Sequence, residues 1–273
     1  TGTTLSSGSG HTCVILDNGS VSCWGYRGLL GNGGASSSNT PTLTSSLGAG
    51  RTAVAISSSG GHTCAILDNG AVSCWGINAD GQLGNGGTSD SNTPTLTGSL
   101  GAGRTAVAIS SGGENTCAIL DNGSVSCWGD GNYGQLGNGG TSDSNTPTLT
   151  SSLGVGRTAV AISTSSDGHT CVILDNGSVS CWGNGYYGQL GNGINLTSST
   201  TPTLTNSLGE GRTAVAISSG GQHTCAILDN GSVSCWGKGS SGQLGNGGTS
   251  DSNTSTLTSS LGVGRTAVAI SSG

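Results

Sequence analysis

The sequence has no methionine, no phenylalanine and few charged residues, and these absences limit what the chain can do. Only 7% of its 273 residues are charged, with seven basic residues against thirteen acidic ones. So few cations cannot neutralise a run of phosphates, which excludes nucleic acid and anionic membrane surfaces as partners. No stretch reaches the roughly 18 consecutive apolar residues of a membrane-spanning helix, so we expect no membrane insertion.

Glycine is abundant instead, with 54 residues, and serine and threonine accompany it. Such a composition alone would indicate disorder, but the apolar residues recur at a fixed period. The five tryptophans lie 51, 53, 54 and 54 residues apart, at Trp24, Trp75, Trp128, Trp182 and Trp236. This period is typical of one four-stranded blade of a β-propeller. Because Thr1 lies inside a repeat and the chain has no initiator methionine, we also expect a processed or excised chain.

Four short runs rich in β-branched residues fall in each period, separated by glycine, serine and asparagine. In the second copy they cover residues 40–44, 52–57, 62–67 and 71–76, and no helical periodicity appears. The sequence therefore predicts an all-β fold: one five-bladed β-propeller domain over residues 1–273, with four antiparallel strands per blade. The predicted repeats cover about 1–57, 58–110, 111–163, 164–218 and 219–273.

Two cysteines flank an Asp-Asn-Gly turn in every copy. If residues 17–19 form a three-residue hairpin loop with Gly19 in the left-handed conformation, Cys13 lies across from Cys23 in a non-hydrogen-bonded pair. Their Cα atoms are then expected about 4.5–5.5 Å apart, within the range of a disulfide. The predicted disulfide cysteines are Cys13, Cys23, Cys64, Cys74, Cys117, Cys127, Cys171, Cys181, Cys225 and Cys235.

Two other interpretations of the cysteines stay open. Reduced cysteines also serve as small buried apolar residues. Zinc binding is a third interpretation, with His11 as an added ligand, but the third copy keeps both cysteines while Asn115 replaces the histidine. We therefore predict no metal site and no cofactor. Ten cysteines in matched pairs favour an oxidising compartment, and so an extracellular or cell-surface location.

The chain repeats the strings HTCAIL, GSVSCWG and GQLGNG, followed by TPTLT and GRTAVAI strands. In these strings it resembles the regulator of chromosome condensation repeat family, and more narrowly the bacterial or phage members with paired cysteines. The resemblance covers all five copies and implies a β-propeller, usually of seven blades, so five copies depart from it. The eukaryotic namesake stimulates nucleotide exchange on a small GTPase and touches chromatin. This sequence shows neither an inserted wing nor a basic tail, so we expect the fold without that activity.

The chain holds six copies of the strand that begins each blade, for five blades. Residues 1–8 and residues 265–273 therefore compete for one position in the first blade. We expect the C-terminal strand to join the first blade and close the ring, because TAVAIS has the stronger β pattern. The spare edge strand would then be available for self-association.

Sequence differences among the copies fall mainly in the segment after Cys-Trp-Gly. Loops on a rigid scaffold usually carry binding specificity, and all four tyrosines lie in these segments. Neutral drift explains the same variation equally well. The predicted binding residues are Tyr26, Arg27, Asn78, Asp80, Asp130, Asn132, Tyr133, Asn184, Tyr186, Tyr187 and Lys238.

Other repeated residues receive structural interpretations. The arginine before each first strand, such as Arg51, is expected to pair with a carbonyl or with the aspartate of the Asp-Asn-Gly turn. Asp90, Asp143 and Asp251 are compatible with calcium ligands but are also ordinary turn formers. No acid–base pair is evident, so we predict a non-enzymatic scaffold that binds protein or glycan. The alternative is a structural subunit of an extracellular fibre, coat or sheath.

Overall fold

The computed structural model describes residues 4–194 and 197–273, which form twenty strands in five antiparallel sheets. The described residues contain no helix, and hence none that is long and apolar enough to cross a membrane. In every sheet four strands consecutive in the chain lie side by side in chain order. The all-β class and the five four-stranded sheets confirm the predicted blades.

The first sheet consists of β1 (Leu5–Ser7), β2 (His11–Ile15), β3 (Val21–Gly25) and β4 (Ser38–Leu43). The second consists of β5 (Ala53–Ser58), β6 (His62–Leu67), β7 (Val72–Gly76) and β8 (Ser91–Leu96). The third consists of β9 (Ala106–Ser111), β10 (Asn115–Leu120), β11 (Val125–Gly129) and β12 (Ser144–Leu149). The fourth consists of β13 (Ala159–Thr164), β14 (His169–Leu174), β15 (Val179–Asn184) and β16 (Ser198–Leu204). The fifth consists of β17 (Ala214–Ser219), β18 (His223–Leu228), β19 (Val233–Gly237) and β20 (Ser252–Leu257).

The hairpin between the second and third strands of each sheet has the predicted register. Leu16 N donates to Ser20 O at 2.8 Å, Gly19 adopts a φ of 77°, and Cys13 lies opposite Cys23. Asn18 Oδ1 accepts a hydrogen bond from Ser20 N and so fixes the turn. A left-handed residue is required at this position, which explains the glycine.

All five predicted disulfides are present, each between cysteines ten residues apart. The Cα atoms of each pair lie 4.1 Å apart, closer than the expected range. No cysteine among them is free. This settles the open alternatives, because an oxidised pair is neither a thiolate ligand for zinc nor a pair of reduced apolar residues.

The expected role of the C-terminal strand in the first sheet is wrong. β1 occupies the position beside β2, with Leu5 opposite Val14 and Ser7 opposite Thr12, whereas residues 265–273 pair with no strand of the described chain. The physical reason is proximity: β1 reaches β2 through a three-residue connection, so its loop closure costs far less entropy than that of a distant strand. The stronger β pattern of the C-terminal segment does not overcome this difference.

The chain divides into two compact units. The first comprises residues 1–131 and 142–149, and the second comprises residues 132–141 and 150–273. The assignment of one domain to residues 1–273 stays a prediction.

Within the first unit, adjacent sheets pack through the disulfides and tryptophans. The Cys13–Cys23 pair and Trp75 of the second sheet belong to one buried cluster, and the Cys64–Cys74 pair and Trp128 of the third sheet belong to another. Trp75 Nε1 donates to Leu29 O at 3.1 Å, which joins the two sheets by a hydrogen bond as well. Trp75 and Trp128 therefore serve as packing residues between the sheets of this unit.

The second unit repeats this arrangement between its own two sheets. The Cys171–Cys181 pair packs with Trp236 of the fifth sheet, and Trp236 Nε1 donates to Gln189 O at 2.9 Å. His169 Nε2 is hydrogen-bonded to Thr224 Oγ1 at 2.8 Å across the same interface. The disulfides thus lie inside the packing layer between sheets, where they stabilise each hairpin and also fill the core.

Candidate functional site

In the second to fifth sheets, an ion pair links the connection into the sheet with the Asp-Asn-Gly turn of that sheet. Arg51 Nη1 lies 3.3 Å from Asp68, and the second, third and fourth such pairs are Arg104–Asp121, Arg157–Asp175 and Arg212–Asp229. The predicted structural role of these arginines is confirmed for four of the five. Because these arginines and aspartates recur unchanged and pair with each other, we assign a structural role to this end of the four sheets.

The segments after Cys-Trp-Gly are organised by buried polar side chains. Asn78 is fully buried, and its amide donates to Gly87 O and Ser89 O at 3.0 and 3.1 Å. Its Oδ1 accepts from Leu83 N at 2.9 Å. All of these contacts stay within the loop, so Asn78 positions the loop and does not face a partner, in contrast to its predicted binding role.

The aspartates considered as calcium ligands are loop-closing residues. Asp90, Asp143 and Asp251 accept hydrogen bonds from the backbone N–H groups of Asn78, Gly131 and Gly239 at 2.8–2.9 Å. Within residues 4–194 and 197–273, no group of three or more His, Cys, Asp or Glu side chains could hold a metal ion. These aspartates therefore act as turn residues.

An open groove of about 870 Å³ lies beside the variable loops of the first unit. We call it the Tyr26 groove; its side chains include Tyr26, Arg27, Leu29, Ile77, Asp90 and Asn92. Tyr26 is 56% exposed and Ile77 43% exposed, although both are large apolar or amphipathic residues. The Arg27 guanidinium lies 6.0 Å from the Tyr26 ring centre, at the limit of a cation–π contact. Arginine and tyrosine beside exposed apolar surface are the residue types enriched at protein interfaces.

Sequence reasoning missed Ile77, although it lies in the variable segment beside Asn78. Its N–H donates to Gly61 O at 2.8 Å, which fixes the backbone so that the side chain stays at the groove. The available signal was an isoleucine at a position that is polar or aromatic in the other copies.

Four acidic residues of the first unit influence one another electrostatically. Burial, and then the charges of Asp130 and Asp143, raise the pKa of Asp80. Burial, and then Asp80, Asp130 and Asp143, raise the pKa of Glu114. Two of the predicted binding residues, Asp80 and Asp130, thus belong to a negatively charged area that also includes Glu114, which the sequence analysis did not select. This area would repel an anionic partner.

A second surface lies in the second unit and is aromatic and cationic. The rings of Tyr186 and Tyr187 meet edge to face with centres 4.9 Å apart, and Lys238 Nζ lies 4.7 Å from the Tyr187 ring centre. Tyr186 is 70% exposed. Lys238 is held in place because its Nζ donates to Gln222 Oε1 at 2.7 Å. We call Tyr186, Tyr187 and Lys238 the tyrosine–lysine patch.

The remaining predicted binding residues of the second unit have different placements. Asn184 Nδ2 donates to Asp167 O at 3.1 Å, and its Oδ1 accepts from Tyr186 N, so this residue supports the patch. Asn132 and Tyr133 are exposed, and Tyr133 N donates to Gln135 Oε1 at 2.8 Å. The structure therefore brings three of the predicted residues into one patch and leaves Tyr133 at a separate exposed position.

The model of the RCC1-like domain family matches residues 2–273. Among curated proteins, the chain is 35% identical over 225 residues to the E3 ubiquitin-protein ligase HERC2 of Homo sapiens, covering 82% of this chain and 5% of that protein. It is 34% identical over 203 residues to the ultraviolet-B receptor UVR8 of Arabidopsis thaliana, covering 74% of this chain and 45% of that receptor. The chain thus spans less than half the length of either relative.

Solved structures show the same fold at low sequence identity. Human WBSCR16 has a TM-score of 0.62 at 19% identity, over 98% of this chain and 84% of that one. Yeast RCC1 (Prp20), solved bound to Kap60, has a TM-score of 0.58 at 16% identity, over 94% and 74%. The ectodomain of the Physcomitrella patens receptor kinase CR4 has a TM-score of 0.51 at 22% identity, over 86% and 52%. The chain belongs to the RCC1-like domain family, and its five sheets are blades of that β-propeller fold.

Proposed function

We propose that this chain is a non-enzymatic extracellular scaffold that binds a protein partner, or a glycan, through the loops after Cys-Trp-Gly. One observation carries the proposal: within otherwise near-identical repeats, the loops that differ are the ones that form the Tyr26 groove and the tyrosine–lysine patch. In the second to fifth sheets, the Arg–Asp end of the sheet is occupied by its own ion pair. A surface that varies on a constant framework is the arrangement a recognition protein needs.

Protein is favoured over glycan as the partner. The Tyr26 groove combines an exposed tyrosine, an arginine and an exposed isoleucine, a set typical of protein contacts. The family fold also serves as a protein-binding scaffold, since the yeast RCC1 structure contains bound Kap60. The negative area around Asp80 adds a preference for partners without acidic surface.

The five disulfides support the extracellular part of the proposal. Structural disulfides persist in oxidising compartments and are rare in reducing ones. The CR4 ectodomain provides an example of the same fold in an ectodomain. The turn aspartates are engaged in ion pairs and backbone hydrogen bonds, which supports a role without acid–base chemistry.

Selection from a displayed library of random peptides, run in parallel with a glycan array, tests this proposal. We expect enriched peptides that bind the wild-type chain and lose at least tenfold in affinity with Tyr26→Ser or Ile77→Ser. The matched control is Val155→Ser, which removes a fully exposed apolar side chain from the constant connection before Arg157. Equal binding by all variants would contradict the proposal, and enrichment of glycans alone would replace protein with glycan as the partner.

A further inference from the structure

The loop after Cys-Trp-Gly is two residues shorter in the first copy than in the other four. In the second to fifth copies, four residues separate this tripeptide from the sequence Gly-Gln-Leu-Gly-Asn-Gly. In the first copy, only Tyr26 and Arg27 lie at this place, and Leu29 replaces the glutamine. The first copy therefore lacks two loop residues and also the amide side chain that follows the loop glycine.

In the second copy, the loop contains a β-turn. Gly81 N donates to Asn78 O at 3.0 Å, which places Ala79 and Asp80 at the centre of the turn. Gln82 Oε1 accepts a hydrogen bond from Asp80 N at 3.0 Å. The glutamines of the third, fourth and fifth copies accept the same bond at 2.8 Å, from the backbone N–H groups of Tyr133, Tyr187 and Ser241. The glutamine thus fixes the loop in each of the four longer copies.

The base of the loop is the same in the first copy as in the second. Arg27 N donates to Ser37 Oγ at 3.0 Å. In the second copy, Asn78 N donates to Asp90 Oδ1 at 2.9 Å at the corresponding position. The two residues that the first copy lacks are therefore those at the centre of the turn.

The β-turn of the second copy packs against the following sheet. A Cβ atom on Gly81 would lie 2.5 Å from the Cα atom of Asn145, at the start of β12, so only glycine permits this approach. The third and fourth copies make the same contact at 2.7 and 2.6 Å, from Gly134 to Thr200 and from Gly188 to Asn253. In these three copies the turn covers the start of the fourth strand in the next sheet.

The first copy has no such turn, and the Tyr26 groove lies in its place. Gly28 corresponds to Gly81, and Asn92 at the start of β8 corresponds to Asn145. Among the described residues other than its chain neighbours, none has an atom within 4 Å of a Cβ position on Gly28. Gly28 and Asn92 both line the Tyr26 groove. The groove is therefore the space that the β-turn fills in the second, third and fourth copies.

The walls of the groove suit a peptide backbone that carries one negative charge. Gly60 and Gly76 contribute bare backbone to the lining, which permits the main chain of a partner to approach closely. Arg27 is exposed, and its guanidinium forms no ion pair within the described part of the chain. The other charged residue of the lining, Asp90, already accepts the Asn78 N–H. An acidic group on the occupant would therefore be attracted to Arg27.

We propose that the Tyr26 groove receives a β-turn of a partner protein, with a glycine that lies against Asn92 as Gly81 lies against Asn145. An acidic residue at the centre of that turn pairs with Arg27. The first copy thus takes from a partner the element that the other copies supply from their own loops. This inference rests on the proposed function, because it names the kind of segment that the groove binds.

Restoring the missing turn in the chain is the first test. Ala-Asp is inserted between Arg27 and Gly28 and combined with Leu29→Gln, so that Tyr26 and Arg27 are kept. The probes are peptides selected on the wild-type chain from a displayed library of six random residues closed by a disulfide. We expect the insertion variant to bind them at least about tenfold more weakly, because its own turn fills the groove. Leu29→Gln alone is the matched control and should bind them as the wild-type chain does.

Substitutions in the peptide test the same contact and cannot affect folding of the chain. We expect the selected peptides to share a glycine next to an acidic residue. Replacement of this glycine by alanine should weaken binding at least about tenfold, because the added Cβ would meet the backbone of Asn92. Arg27→Gln should weaken binding of these peptides several-fold. This second test decides the matter if the insertion variant does not fold.

The outcomes separate this inference from the proposed function. Selected peptides that depend on Tyr26 but bind the insertion variant as tightly as the wild-type chain would leave the proposed function standing and overturn the β-turn. Tolerance of alanine in place of the glycine would also overturn the β-turn. A library that yields no peptide dependent on Tyr26 or Ile77 would overturn both.

Discussion

His62 Nε2 lies 2.7 Å from Thr116 Oγ1 of the next sheet, and both residues are fully buried. The Thr116 hydroxyl donates to Gln82 O, so Thr116 Oγ1 accepts from the His62 Nε2–H, while His62 Nδ1 is 3.1 Å from Ser59 Oγ. A neutral imidazole satisfies this chain of hydrogen bonds. Burial, and then the nearby His11, lower the pKa of His62 from 6.5 to about 3.

The buried histidines make stability depend on pH. Because the folded-state pKa of His62 is about 3 and its ordinary value is 6.5, the unfolded chain binds more protons between these values. We expect the free energy of unfolding to fall as the pH is lowered from about 6.5 towards 3, and to be insensitive to this group above pH 7. In the lower part of that window, His62 lowers the free energy of unfolding by about 1 kcal/mol for each unit by which the pH falls. Urea unfolding at several pH values measures it.

His62→Asn, which copies the residue found at Asn115, isolates this contribution. The variant should show a smaller loss of stability below pH 6 than the wild-type chain. The matched control is His223→Asn, because His223 is only half-buried and its change should alter the pH dependence less. An unchanged pH profile in His62→Asn would contradict the assignment of His62 as a buried neutral group.

Removal of one disulfide should destabilise the fold without creating a free thiol. Cys64→Ser combined with Cys74→Ser opens a loop of ten residues, and we expect a loss of about 2–3 kcal/mol in the free energy of unfolding. The buried serines that replace the sulfurs add to this loss, so Cys64→Ala with Cys74→Ala should be milder. If neither double variant changed the unfolding free energy, the pairs would not be stabilising links.

The indole hydrogen bonds between sheets make a separate contribution. Trp75→Phe leaves the buried Leu29 carbonyl without the donor that Trp75 supplies, at an expected cost of about 1–3 kcal/mol. Trp24→Phe is the matched control, because Trp24 is half-buried and no indole hydrogen bond to the described residues is formed there. Thermal unfolding compares the two variants, and equal destabilisation would contradict the role of the hydrogen bond.

The Arg–Asp pairs at the constant end should matter little for stability. Both partners of the Arg104–Asp121 pair are more than a third exposed, so we expect Arg104→Ala to cost less than about 1 kcal/mol. Added salt should reduce that difference further, since screening weakens exposed pairs. A loss of several kcal/mol that persisted in high salt would show that the arginine acts through packing.

Local rules in the sequence were sufficient for the strands and the cysteine register. The Asp-Asn-Gly turn fixes the hairpin loop length, and this alone places Cys13 opposite Cys23. Arg51 pairs with Asp68, which is one of the two partners, a carbonyl or the turn aspartate, that the sequence left open. The sequence did not show which of two distant copies of one strand pairs with β2. The β pattern favours residues 265–273, whereas loop-closure entropy favours β1, and β1 lies beside β2 in the structure.

The segments after Cys-Trp-Gly are loops between the third and fourth strands of each sheet. Which of their side chains are buried and which are exposed did not follow from the sequence. Asn78 turns inward and uses its amide within the loop, whereas Ile77 beside it turns towards the groove. Asn78, a polar loop residue, was predicted to contact a partner, whereas its apolar neighbour Ile77 was not selected. Which of two adjacent loop residues faces outward depends on backbone conformation, which the repeat pattern does not specify.

Non-reducing peptide mapping of the purified chain tests the account most directly, because the sheet register, the packing between sheets and the proposed compartment all depend on the cysteine pairs. We expect five cross-links, each between cysteines ten residues apart within one repeat. Free thiols, or cross-links between different repeats, would contradict the disulfide pairing of the structure.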